Sequence, residues 1–258
     1  MRQLMSDIAE IAGLISQRGW AERNAGNVSV DVTEVQSTIG AGTWKRIEGE
    51  LPYPELAGRS YLVTATGARF RDVAKHPEDH VVLAKIADDL SGYDIFLPPG
   101  RDPAMLTTSE FPSHLGVHAH LRRSQPAKKA VLHTHPDCLL ALSHVGSLCS
   151  TENLSRLLWS MHPEMKIVMP DGVGLVPYRL PGSEILAEAT VEVLEHHRLV
   201  LWEKHGCVAV GRTVFDAFDL IDTAEKSAKI FLMVKAAGYE AAGLTEAQLA
   251  ELPALPLT

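Results

Sequence analysis

The sequence predicts an α/β fold, with helices on both faces of a sheet and residues 1–258 forming one domain. Two observations carry this reading. Short apolar runs of strand length alternate along the chain with longer stretches of helical periodicity. No internal repeat, low-complexity linker or composition shift interrupts the 258 residues, enough for one substantial core or two small ones.

Taken in order, Leu4, Ile8, Ile11, Leu14 and Ile15 recur at helical spacing over residues 2–18, and Gly19 stands where that helix should stop. A polar turn, Glu22-Arg23-Asn24-Ala25-Gly26-Asn27, leads into the alternating Val28, Val30 and Val32 of a strand. Residues 33–58, rich in Gly, Pro, Thr and Glu, read as a surface excursion. Tyr61-Leu62-Val63 is a strand running into Thr64-Ala65-Thr66-Gly67, and short strands are expected near 79–84 and 93–97. Thr107-Thr108-Ser109-Glu110 offers N-cap chemistry for a helix over about 110–123. Ala130-Val131-Leu132 is a buried strand ending at His133. Helices are expected near 136–146, 151–161, 182–197 and 213–238. Between them Ile167-Val168-Met169, Gly174-Leu175-Val176 and Leu199-Val200-Leu201-Trp202 read as strands, and Val208-Ala209-Val210 follows a turn at Gly206.

Charge narrows the partners. The 32 acidic and 24 basic residues give a net charge of −8 with no basic tract, which argues against nucleic acid. No apolar run approaches the roughly 20 residues of a membrane span. The amphipathic N-terminus, with Asp7 and Glu10, does not read as a signal peptide, so a cytoplasmic protein is expected. Cys138, Cys149 and Cys207 lie far apart and form no CxxC pair, which suits reduced thiols. A small anionic substrate remains compatible, because backbone N–H groups and a bound cation can hold one phosphate locally.

The chain carries 12 histidines, and their spacing singles out three. His133-Thr134-His135 stands where a strand ends, and residues i and i+2 of an extended backbone point the same way. His205 ends a second apolar strand just before Gly206. Neighbouring strand ends would bring three neutral imidazoles to one sheet edge, the donor set of an open, catalytic zinc site. Two rivals exist within the sequence. Glu110, His114 and His118 stand four apart and would share a helix face that could also bind metal, and Cys207 could replace His205. His118-Ala119-His120 repeats the HxH spacing, but on a helix those rings diverge.

Several segments appear in a telling order: Glu22 to Asn27, Val63-Thr64-Ala65-Thr66-Gly67, Thr108-Ser109-Glu110, Val131-Leu132-His133-Thr134-His135-Pro136 and Lys204-His205-Gly206. The series resembles the class II aldolase/adducin family, over about residues 1–250. Pro170-Asp171-Gly172-Val173-Gly174 and the segment from Leu220 to Ala228 narrow the resemblance to members acting on L-rhamnulose 1-phosphate. The resemblance implies a three-layer α/β/α fold with a mostly antiparallel central sheet, where alternation alone would suggest a parallel one. It implies a homotetramer with active sites between subunits, one Zn2+ per subunit, and reversible cleavage of that sugar phosphate to dihydroxyacetone phosphate and L-lactaldehyde. Such cleavage leaves a carbanion beside a carbonyl. A divalent ion chelated by substrate oxygens spreads that charge as an enediolate, which explains three protein ligands rather than four.

The resemblance also distributes roles. Glu110 becomes the acid/base, although a carboxylate there could equally complement a helix dipole. Glu164 becomes a second acid reaching a neighbouring subunit's site; left alone it would be a solvated helix-end charge. Asn24, Gly26 and Asn27, then Thr66 and Gly67, then Thr108 and Ser109 fall on the family's phosphate-binding segments, the last with hydroxyls and free amides at a helix start. Ala25 and Ala65-Thr66 depart from the glycine and serine common there. Asp171-Gly172 is read as a turn between strands, and Glu225 and Lys226 as residues of a helix packing the sheet. Alternatives on the same scaffold are an L-fuculose-phosphate aldolase, an L-ribulose-phosphate 4-epimerase and a methylthioribulose-phosphate dehydratase. Of other classes are a Schiff-base aldolase using Lys204 and a non-catalytic adducin-like interaction protein.

Overall fold

The computed structural model describes residues 1–35 and 40–253. Its helices are α1 (Arg2–Arg18), α2 (Phe70–Val73), α3 (Pro77–His80), α4 (Phe111–Ser124), α5 (Asp137–Leu142), α6 (Thr151–Met161), α7 (Pro163–Val168), α8 (Glu184–Leu194), α9 (Val214–Ala236) and α10 (Glu246–Ala250). Its strands are β1 (Asn27–Asp31), β2 (Thr43–Glu48), β3 (Ser60–Thr64), β4 (Val81–Ile86), β5 (Gly92–Leu97), β6 (Ala130–Thr134), β7 (Gly174–Val176), β8 (Leu199–Trp202) and β9 (Gly206–Gly211). They form one sheet in the order β2-β5-β4-β3-β1-β6-β9-β8-β7. Each neighbouring pair is antiparallel except β7 and β8, which run parallel at one edge. The sheet is therefore mixed and mostly antiparallel, flanked by helices.

Side-chain alternation builds the layers. Val28 and Val30 of β1, Leu132 of β6 and Ala209 of β9 face one side, where they pack with Ile8, Ile11 and Ile15 of α1 and the apolar stripe of α9. On the opposite side, Tyr61, Val82 and Ile95 pack under Phe111 and Leu115 of α4. Farther along that side Val131, Val208 and Val210 pack under Val117 and Leu121 of α4 and Leu186 and Leu194 of α8. The first helix ends at Gly19, whose φ of 78° lets its N–H reach back to the last turn. The long α9 starts with a capping box between Thr213 and Asp216.

Four expectations are corrected. Ile167-Val168-Met169 is no strand: Pro163 opens α7, which runs through Val168 and buries Met165. A three-residue apolar run cannot by itself separate strand from helix. The excursion over 33–58 contains the edge strand β2, half exposed and so without an apolar alternation to betray it; residues 36–39 of that excursion lie outside the described residues. Residues 79–80 belong to α3, and β4 starts only at Val81. Asp171-Gly172 turns from α7 into β7 rather than between strands, and Asp171 pairs with the guanidinium of Arg198 at 2.8 Å.

Candidate metal centre and substrate pocket

The centre of the sheet supplies the donors. β6 lies between β1 and β9, and His133 pairs across to Asn27 on one side and Val208 on the other. Two residues later His135 leaves the strand on the same face, its backbone N–H held by the Trp20 carbonyl at 2.9 Å. His205 closes the short loop between β8 and β9, directly after Lys204, whose φ is 61°. The donor atoms of His133, His135 and His205 all lie within 4.8 Å of one another. Gly206 makes this convergence possible. A Cβ there would meet Cδ2 of His135 at 2.5 Å and the Thr134 carbonyl at 2.8 Å. Trp202 floors the cluster, its ring 4.9 Å from that of His205 and its Nε1–H donating to Thr190 on α8 at 2.8 Å.

Hydrogen bonds set the tautomers. His133 Nδ1–H donates to the Cys207 carbonyl at 2.9 Å, and His135 Nδ1–H donates to the Glu22 carboxylate at 3.0 Å. Each leaves Nε2 as a bare lone pair, and these two atoms face each other at 3.2 Å. His205 Nδ1 is buried without a hydrogen-bond partner. Two facing lone pairs repel on their own and a shared cation would satisfy both; with a donor nitrogen of His205 beside them, the set fits a divalent metal ion. Burial, then the neighbouring imidazoles, holds His133 well below its ordinary pKa, and burial followed by His135 lowers His205, so both rings are neutral, as ligands must be. Burial would raise Glu22, but hydrogen bonds from its own backbone and from His135 outweigh it and keep the carboxylate ionised.

The same three histidines line a cavity of about 190 Å³ together with the segments 24–27, 65–68 and 108–110. Glu110 sits at the N-cap of α4, where its Oε2 is 3.7 Å from His133 Nε2 and accepts a hydrogen bond from Asn27 Nδ2 at 2.5 Å. Gly26, at φ 77°, is required by the fold: a Cβ would strike Phe70 at 2.7 Å and the His133 carbonyl at 2.9 Å. The phosphate candidates Asn24, Gly26, Asn27, Thr66, Gly67, Thr108 and Ser109 thus all border one space. Thr108 offers no free amide, because its N–H donates to the Thr64 carbonyl, and that of Thr66 donates to Leu106. What these two threonines present is hydroxyl. Asn27 uses one amide N–H on Glu110 and its carbonyl on His114, leaving one N–H over.

Other candidates fall elsewhere. Glu164 lies on α7, paired with His162 at 3.1 Å and outside the cavity lining. Glu110, His114 and His118 do share one face of α4, yet His114 and His118 are buried against β1 and form no metal cluster with Glu110 among the described residues. Cys207 is buried in the core on the other face of β9. Glu225 caps α5, accepting from the backbone N–H groups of Cys138 and Leu139. Sequence reasoning missed Glu22, Trp202 and Ser29. Glu22 sat in a quoted segment, but its contact with His135 spans 113 residues and leaves no local signal.

An open imidazole site at the strand ends in the middle of a mostly antiparallel, helix-flanked sheet defines a class, and comparison assigns it: the chain belongs to the class II aldolase/adducin family, residues 6–232 matching "Class II Aldolase and Adducin N-terminal domain". It is 40% identical over 253 residues to the rhamnulose-1-phosphate aldolase of Bacteroides thetaiotaomicron, covering 96% of this chain and 92% of that one. Identity to the rhamnulose-1-phosphate aldolase of Yersinia pseudotuberculosis is 36% over 242 residues, covering 92% and 87%. Among solved structures, a sugar-phosphate aldolase from Thermotoga maritima superposes with a TM-score of 0.80 at 33% identity, covering 94% of this chain and 99% of that one.

Proposed function

We propose that this chain, as one class II aldolase-like domain over residues 1–258, is a zinc-dependent aldolase that reversibly cleaves L-rhamnulose 1-phosphate to dihydroxyacetone phosphate and L-lactaldehyde. The observation that carries the reading is the convergence of three imidazoles and one carboxylate on a single polar cavity. The names of the two relatives supply the sugar. His133, His135 and His205 would hold the ion. Bound there, it supplies Lewis-acid polarisation of the ketose carbonyl and adjacent hydroxyl, which lowers the cost of negative charge at the reacting carbon.

The protein's own groups do the rest. Asn24, Gly26, Asn27, Gly67, Ser109 and the hydroxyls of Thr66 and Thr108 grip the phosphate end. Among the described residues of this chain no Lys or Arg lines the cavity, and the groups it offers to the phosphate are neutral donors. When the carbon–carbon bond breaks, its electron pair stays on the carbon next to the carbonyl, and Glu110 delivers a proton to that carbon. In the synthetic direction it removes the same proton. The hydroxyl that becomes the aldehyde gives up its own proton to water in the cavity, and Glu110 takes from water the proton that it delivers to carbon, so no net proton is gained or lost. Glu164, exposed on α7, is assigned to a neighbouring subunit's site in a homotetramer. The exposed Tyr178, Leu180 and Ile185 provide apolar surface for such an assembly. The same reading places the enzyme in the cytoplasm, and no helix of the described residues is long and apolar enough to cross a membrane.

A Schiff-base mechanism through Lys204 is disfavoured. Its Nζ pairs with Glu203 at 2.7 Å, and that contact raises its pKa, which keeps the amine protonated and non-nucleophilic. The test is product analysis on a panel of ketose phosphates. Release of dihydroxyacetone phosphate and L-lactaldehyde from L-rhamnulose 1-phosphate, ahead of L-fuculose 1-phosphate, is expected. Epimerisation or loss of water without carbon–carbon cleavage would overturn the reading.

A further inference from the structure

The α4-facing side of β1 is polar where its neighbours are apolar. On that side of the sheet, one apolar cluster is built on β3, β4 and β5, and a second on β6, β7, β8 and β9. Between them lie Asn27, Ser29 and Asp31, which are 5%, 0% and 7% exposed. Buried polar side chains cost stability unless each finds partners, so a strip of them under a helix calls for a function.

The partners come from a matched register. Alternate residues of a strand advance by about 6.6 Å, and residues four apart on a helix by about 6 Å. Glu110, His114 and His118 therefore run in step with β1. His118 Nε2 is 2.8 Å from Ser29 Oγ, Ser29 Oγ is 2.7 Å from His114 Nδ1, His114 Nε2 is 2.5 Å from Asn27 Oδ1, and Asn27 Nδ2 is 2.5 Å from Glu110 Oε2.

Only one direction of donation satisfies all four contacts. An ionised carboxylate accepts and cannot donate, so Asn27 must turn its NH2 to Glu110 and its carbonyl to His114. His114 Nε2 must then carry hydrogen, and its Nδ1 must accept from the Ser29 hydroxyl. Ser29 has only one hydrogen, so its oxygen accepts from His118 Nε2–H. Burial brings His114 to about 3 and His118 to about 4, so each ring is neutral, with one donor and one acceptor, as the chain needs.

We propose that His114, oriented by Ser29 and His118, is a positioning residue that fixes the Asn27 amide so that its N–H holds the Glu110 carboxylate against the histidine cluster. This rests on Glu110 being the acid/base. His114 does not itself line the cavity. Its effect passes through Asn27 alone, and its loss lets the amide turn its carbonyl toward the carboxylate.

The test is a double-mutant cycle on the metal-loaded enzyme. His114→Leu should lower kcat about 10- to 100-fold, as lost second-layer orientation does, while metal content stays near the parent value; a rise in KM would report the other Asn27 N–H on the phosphate and leaves the kcat test unaffected. In a Glu110→Ala background the same substitution should cause no further loss of kcat, because its route to the proton transfer is gone. His114→Gln, which can still donate to Asn27, should restore part of kcat. A parent-like kcat in His114→Leu, or an equal loss in both backgrounds, overturns the proposal. Should His114→Leu not fold, Ser29→Ala carries the test, with a smaller kcat loss that also vanishes in the Glu110→Ala background; unchanged kcat there counts against the chain. A readout independent of turnover is the 15N spectrum of His114 in the metal-free protein, expected to show hydrogen on Nε2 and none on Nδ1; the opposite tautomer overturns the donor direction. Undiminished turnover in Glu110→Ala alone sinks the acid/base reading, whereas lost turnover there beside a fully active His114→Leu sinks only the positioning chain.

Discussion

His133 has the form that a metal ligand needs because of a bond made at its far side. Donation from Nδ1 to the Cys207 carbonyl fixes the tautomer, and complete burial keeps the ring neutral. Glu22 does the same for His135 through a carboxylate. Glu110 lies one step outward, within 3.7 Å of His133 Nε2 yet tied to Asn27, a placement suited to moving a proton at substrate carbon. Glu110→Ala is therefore expected to keep its fold and its metal while losing about 100- to 10,000-fold in turnover. Steady-state kinetics with metal analysis of the same sample checks this; normal rates would remove Glu110 from the chemistry.

At the scale of elements, the site is a consequence of strand ends and a shared register. β6 and the β8–β9 loop deliver the imidazoles because an HxH on an extended backbone points one way, and that much was legible in the sequence. The helical spacing of Glu110, His114 and His118 was legible too, but not its target, since nothing local says that α4 crosses β1. β2 was hidden because an exposed edge strand carries no apolar alternation, and α7 because Ile167-Val168-Met169 is too short to show a period. The polar face of β1 ends at Asp31, which pairs with Arg59 at 2.6 Å. Burial pushes Asp31 up, yet hydrogen bonds from Thr33 and the pair with Arg59 outweigh it and hold the carboxyl below its usual value. A depressed folded value stabilises the protein above the ordinary carboxylate range and ceases to do so as pH falls through that folded value. Asp31→Asn should thus destabilise by about 3 kcal/mol near neutral pH, and the gap to the parent should close in acid. Denaturant unfolding at both pH values measures it; a gap that does not change with pH would contradict the pairing.

At the largest scale, nine strands of the described residues form one mixed sheet that places β1, β6 and β9 side by side at its middle, and the family match covers residues 6–232. The antiparallel sheet came from family resemblance and not from periodicity, because alternation of strands and helices does not encode strand direction. On the proposed reading, in which Glu164 serves a neighbouring subunit's site in a homotetramer, an assembly larger than a dimer is expected in solution. Sizing by light scattering would show it, and a fully active monomer would contradict a shared site. On the proposed function, His133, His135 and His205 together hold the one ion that cleavage requires. Metal analysis of the purified parent and of His205→Ala, each assayed for dihydroxyacetone phosphate release before and after chelation, tests it most directly. Expected are about one zinc per parent chain, activity lost on chelation and restored by zinc, and neither metal nor cleavage in His205→Ala; metal retained in that variant, or cleavage that survives chelation, would rule out this site.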